Sequence, residues 1–191
     1  MAAMRIVWAF CLIVSIGVAG APAQAQLSGE NLLVTLPPGF KIGFQGSRNG
    51  MNIQEWVPAN ESVQNWSEMV TVQVFLRRTD IEPEKFLSVL SENWLKACKE
   101  ARLNKIVSAQ VNGYPMSSMM LQCPLLGITG KPETTLFRAI KGKDSFYLVQ
   151  RAVRSVPSAD QLSRIAQYLG AVTVCDVRSA QHPCPNLTKA Q

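Results

Sequence analysis

The chain has 191 residues, of which 47% are hydrophobic and 17% charged, with a net charge of +6. That length fits one domain with at most a small appendage, and the apolar fraction excludes a disordered chain. A single histidine excludes multi-histidine metal and catalytic sites, and no cysteine pair has the C-x-x-C spacing of a redox enzyme or zinc ribbon.

Residues 1–25 read as a secretory signal peptide. Arg5 supplies the positive start, Ile6 to Ala19 an apolar stretch too short to span a bilayer comfortably, and Ala23-Gln24-Ala25 the small-x-small cleavage site. Gln26 is the expected new N-terminus. Cys11 lies inside the apolar stretch, after Ala9-Phe10, and so is not a lipid-anchor cysteine. Removing this segment takes away Arg5 and no acid, which lowers the net charge from +6 to +5. The mature chain has no apolar run long enough for a membrane span. It also lacks a dense basic run with interleaved aromatics, so nucleic acid is not an expected partner.

Export changes the meaning of the cysteines that remain. Cys98, Cys123, Cys175 and Cys184 are an even set in an oxidising compartment and are expected as disulfides.

Short strands come first: Leu32 to Leu36, Lys41 to Phe44 and Met51 to Val57, with Pro37-Pro38-Gly39 as a turn between the first two. Met69 to Leu76 alternates Val70, Val72, Val74 and Leu76 on one face, a strong strand pattern. A helix is predicted from about Ile81 to Asn104, with Thr79 and Asp80 as caps and Glu82 closing a capping box. Its apolar stripe is Phe86, Leu87, Leu90, Trp94, Leu95 and Cys98. Asn112-Gly113 predicts a tight hairpin between Lys105 to Val111 and Pro115 to Cys123. A second hairpin joins Thr134 to Ile140 and Ser145 to Val153 through residues 141–144. Ser158 caps a second helix, Ala159 to Leu169, with Gln161 completing the box and Gly170 as its C′ residue. Ala171 to Val174 adds a short last strand, and residues 175–191 form a tail.

This order predicts an α+β domain over residues 26–174, an antiparallel sheet packed against two helices. Strict βαβ alternation, which a parallel nucleotide-binding sheet needs, is missing. Two pairings follow. Cys98 faces the sheet from the first helix and Cys123 ends a strand of the next hairpin, so they can meet. Cys175 and Cys184 can tie the tail, which has no apolar face of its own.

The segments Leu36-Pro37-Pro38-Gly39-Phe40, Glu55-Trp56-Val57-Pro58 and Asn65-Trp66-Ser67-Glu68-Met69-Val70 resemble the PsbP-like fold, over roughly Leu32 to Val174. That fold is shared by bacterial exported domains and a photosynthetic extrinsic subunit. The segments around Trp66, Cys123-Pro124 and Cys175-Asp176 are also similar to a family of proteobacterial exported proteins. The resemblance implies an accessory or binding module and carries no catalytic signature.

Candidate sites are few. His182 is the lone imidazole and reads as an exposed loop residue in the tail. Glu55 and Glu68, beside Trp56 and Trp66, are the one carboxylate pair that could cleave a polysaccharide. Lys96, Lys99, Arg102, Arg138 and Lys143 form a candidate basic patch for an anionic partner, with Arg138 and Lys143 as neighbours across a ladder. Trp66, in the polar loop Pro58 to Glu68, is either an interface anchor or a lid on the core. No glycine-rich phosphate loop and no metal-ligand cluster is present, so no cofactor is expected. The reading is a periplasmic or secreted, non-catalytic binding protein whose partner is an envelope protein or an anionic surface. A cell-wall or polysaccharide hydrolase using Glu55 and Glu68 is the alternative.

Overall fold

A computed structural model describes residues 28–185. The expected signal peptide, with Cys11 and the Gln26 start, lies outside these residues. Four strands come first: β1 (Glu30–Leu33), β2 (Phe40–Arg48), β3 (Met51–Pro58) and β4 (Glu68–Leu76). Helix α1 (Pro83–Ala97) follows, then β5 (Arg102–Leu103), β6 (Val107–Val111), β7 (Tyr114–Leu126), β8 (Lys131–Lys141) and β9 (Ser145–Val153). Helix α2 (Ala159–Gly170) and β10 (Thr173–Asp176) complete the order.

One antiparallel sheet runs β2-β3-β4-β9-β8-β7-β5, with β6 also on β7. Strand alternation gives it two apolar faces. Val70, Val72, Ile140, Tyr147 and Val149 pack under Leu169 of α2, together with Leu32 and Val174. Leu121, Phe137, Ala139, Phe146 and Leu148 point the other way and pack under Leu87 of α1. The helices therefore cover opposite faces, and β8 and β9 are buried on both sides. This is the α+β architecture expected from the sequence, in three layers.

β1 does not join that sheet. It pairs antiparallel with β10, Glu30 opposite Asp176 and Leu33 opposite Thr173. Glu30 also caps the turn between β8 and β9, accepting from Lys143 N at 2.6 Å, Asp144 N at 3.1 Å and Tyr147 Oη at 2.8 Å. Arg178 clamps the same corner, donating to Asp144 and Asp176 at 2.6 Å each. The hydrogen bonds from Arg178 hold the Asp176 carboxyl down at about 2. A carboxyl held below its ordinary value stabilises the fold above that value and stops doing so as pH falls through the folded one. Asp176→Asn is thus expected to flatten the acid limb of stability between about pH 4 and about pH 2. Urea midpoints taken across that range check it.

Helix α1 is shorter than predicted at both ends. Thr79 and Asp80 do not cap it: Asp80 binds Arg78 at 2.9 Å, and the N-cap is Glu82, whose side chain pairs with Lys141 instead. Pro83 starts the helix because its missing N–H needs no partner there. The helix stops at Ala97, where extended Cys98 is joined to Cys123 with Cα atoms 6.1 Å apart. The chain then turns into the short strand β5, beside Leu121 and Gln122. At α2, Ser158 accepts from Gln161 N at 3.2 Å as predicted, but Gly170 is still helical and Ala171 is the C-cap.

The tail is not an appendage. Cys175 is fully buried within β10, so a boundary after Val174 falls inside a strand. Its bridge to Cys184, with Cα atoms 4.8 Å apart, folds the tail back over the Asn112-Gly113 turn. There the His182 ring packs on Tyr114, centroids 4.2 Å apart, with Nδ1 2.7 Å from the Asn112 carbonyl oxygen. His182 is therefore buried, contrary to the exposed position expected. Gly113 has φ +76°, and a Cβ there would sit 2.8 Å from the His182 ring. Gly113→Ala is expected to cost more than about 1 kcal/mol, since both backbone and contact oppose it. A denaturant melt beside the parent protein measures the loss.

Candidate functional site

The carboxylate pair does not form a site. Trp56 and Val70 are opposite each other and face α2. Glu55, one residue earlier, faces the α1 side, opposite Thr71. Glu68, two residues before Val70, faces the α2 side. The side chains therefore leave the sheet in opposite directions. Glu68 is held by Arg151 at 2.8 Å and Gln161 at 3.1 Å, and Arg151 in turn lies over Tyr168 and Phe40. Partial burial raises the Glu55 carboxyl.

Trp66 is a lid. Its ring is buried with Val57, Met69 and Ala152, and the Arg154 guanidinium lies 3.9 Å from its centroid. Glu61 closes the loop by accepting from Ser67 N at 2.6 Å and from Ser67 Oγ at 2.7 Å.

The five cations of the basic patch do not share a surface. Lys96 is exposed on the last turn of α1. Lys99 lies past the end of that helix, and Arg102 is in the edge strand β5. Lys143 is exposed in the turn capped by Glu30. Arg138 lies opposite Ser118 and Val149, not Lys143, and only 8% of it is exposed. It sits between Leu136 and Ile140 on the α2 face of β8, in a strand covered on both sides.

That position makes Arg138 the unusual residue of the fold. Its Nε is buried without a hydrogen-bond partner, and among the described residues no carboxylate pairs with it. Burial alone pushes its guanidinium below the usual arginine range. An uncompensated buried charge is costly. Arg151, on the same face, has a carboxylate, and Arg154, whose Nε also lacks a partner, is less covered and lies over the Trp66 ring.

Arg138 lines a groove of about 340 Å³ between α2 and the β6–β7 side of the sheet. Lys105, Asn104 and Ser118 supply its other polar groups. Leu162, Ala166 and Leu169 of α2 form one wall, with Val107 facing them from the lip. The turn to β5 at Cys98 brings Asn104 and Lys105 here, through the bond from Asn104 N to the Met120 carbonyl at 3.1 Å. The arrangement can take an anion on a desolvated guanidinium, where a charge-assisted bond is strong.

Elsewhere, Glu133 is buried and its carboxyl raised by desolvation, with Thr135 Oγ1 donating to it at 3.2 Å. Among the described residues no cluster of three metal-ligating side chains occurs, and no helix is long and apolar enough to cross a membrane.

No protein-family model matches the sequence, and neither does any curated protein. Solved structures do resemble it in chain course. The solution structure of cyanobacterial PsbP (CyanoP) from Synechocystis sp. PCC 6803 aligns with a TM-score of 0.48 and 9% identity, over 84% of this chain and 99% of that one. The Ran-binding protein Mog1p of Saccharomyces cerevisiae aligns with a TM-score of 0.42 and 11% identity, over 74% and 85%. LpqN, involved in cell envelope biogenesis of Mycobacterium tuberculosis, aligns with a TM-score of 0.40 and 11% identity, over 78% and 86%. The likeness is one of chain course and extends to neither ligand nor partner.

Proposed function

We propose that the protein is an exported, non-catalytic accessory protein of the bacterial envelope, starting at Gln26, and that it binds an anionic ligand in the groove over Arg138. The observation that carries this reading is the nearly covered Arg138 side chain, whose buried Nε has no hydrogen-bond partner and which no described carboxylate pairs. A fold keeps such a group at a cost to its own stability, and an anion that enters the groove removes the cost. Two disulfides support export, because such bonds persist in oxidising compartments. The hydrolase reading lacks support, since Glu55 and Glu68 face away from each other.

The test follows the Arg138 Nε–H resonance by NMR, and the melting temperature, in the purified mature chain. Inorganic phosphate, acetate, decanoate and decyl phosphate are the probes. At least one is expected to shift that resonance and raise the melting temperature, and Arg138→Met is expected to abolish the temperature response. No response to any of the four overturns the reading.

A further inference from the structure

The groove combines two chemistries. Its floor carries one guanidinium, with the Ser118 hydroxyl opposite on the neighbouring strand and Lys105 among the lining groups. Its walls are aliphatic. Val107 is 58% exposed, and the α2 stripe through Leu162 and Ala166 looks onto the groove while Ile165 is buried in the fold. A receptor for a bare inorganic ion surrounds it with donors and leaves no aliphatic surface open. Here a single buried guanidinium lies among aliphatic lining groups. A volume of about 340 Å³ is that of a small-molecule site.

We infer that this groove binds a single-chain amphiphilic anion, a fatty carboxylate or an alkyl phosphate, with its head on Arg138 and its chain along Leu162, Ala166 and Val107. The inference rests on the anion-binding reading above and names the ligand class. Guanidinium forks match both head groups, which accept two parallel N–H bonds. Lys105 lines the same groove and can meet the second charge that a phosphate monoester carries. The chain end is held by area alone, so affinity grows with length until the groove is full.

Calorimetric titration of the mature chain, below the critical micelle concentration, tests this. The probes are acetate, hexanoate, octanoate, decanoate, decyl phosphate, inorganic phosphate and decanol. Affinity is expected to rise about fourfold per added methylene through the carboxylate series. Decanol should bind at least tenfold more weakly than decanoate. The preference between decanoate and decyl phosphate identifies the head group. Ala166→Phe, at an exposed helix position, fills the groove and leaves Arg138 in place. It should cut decanoate affinity at least tenfold with the melting temperature retained. Acetate or phosphate binding as tightly as decanoate overturns the amphiphile inference and leaves the anion-binding reading standing. Unchanged decanoate affinity in a folded Ala166→Phe variant does the same. Decanol binding as tightly as decanoate overturns the anionic head, and no binding by any probe removes both readings.

Discussion

Arg138→Met is expected to make the unliganded protein more stable. Methionine keeps most of the side-chain volume and lies well between Leu136 and Ile140 under α2. What it removes is a cation that burial disfavours and no described carboxylate offsets. Replacing buried charge by apolar groups of similar size can gain about 1–4 kcal/mol, and the lower half of that range suits a groove that admits some water. At this chain length each kcal/mol is worth about 2–4 °C of melting temperature. A gain on substitution, coupled to lost ligand response, separates a group kept for function from one kept for folding. Urea and thermal melts of the two proteins measure it. A variant less stable than its parent would mean that the guanidinium supports the fold.

The disulfide between Cys98 and Cys123 carries the second large effect. Cys98→Ser is expected to lower stability by about 2–4 kcal/mol, since it opens a closed loop of the unfolded chain. The two cysteines are 25 residues apart in sequence, against 9 for Cys175 and Cys184. The longer closure should therefore count more, though the dependence on length is slow. Its position adds a local consequence. The bridge stops α1 at Ala97 and sends the chain into β5, which delivers Asn104 and Lys105 to the groove. Cys98→Ser should thus weaken ligand binding along with stability, whereas Cys184→Ser should loosen His182 from Tyr114 and leave the groove intact. Melting curves and titrations on the three proteins compare these outcomes.

Much of the fold was legible because the signals were local. The alternation through Val70, Val72 and Val74 and the Ser158 cap needed no distant partner to be read. Asn49-Gly50 carries the same hairpin signal as Asn112-Gly113, both residues having positive φ, and would have joined β2 to β3 in advance. Non-local choices were not legible. Thr79 and Asp80 look like caps, yet Arg78 and Lys141 redirect Asp80 and Glu82. β1 finds its partner at the far end of the chain. The site was hidden for a related reason. A strand with one wet face would leave Arg138 in solvent, and only the cover given by α2 turns that position inward. The clue available was its place between Leu136 and Ile140 at the alternating spacing, inside a strand apolar on both faces. Glu55 and Glu68 looked paired because proximity in sequence says nothing about side until the cross-strand register is known.

The pairing of β1 with β10 sets an order of events for a chain that is synthesised from its N-terminus. The segment from Glu30 to Leu33 emerges early, yet its one strand partner among the described residues is among the last to arrive. Until then the Glu30 carboxylate can reach the β8–β9 turn, but its strand has no ladder to complete. Closure of this seam therefore waits for the last residues of the chain, whatever part of the larger sheet has formed before. The same seam puts the two ends of the described chain side by side. A short peptide joining them, with new ends opened at the exposed tip near Gly127 to Gly130, should give a circular permutant that folds without that wait.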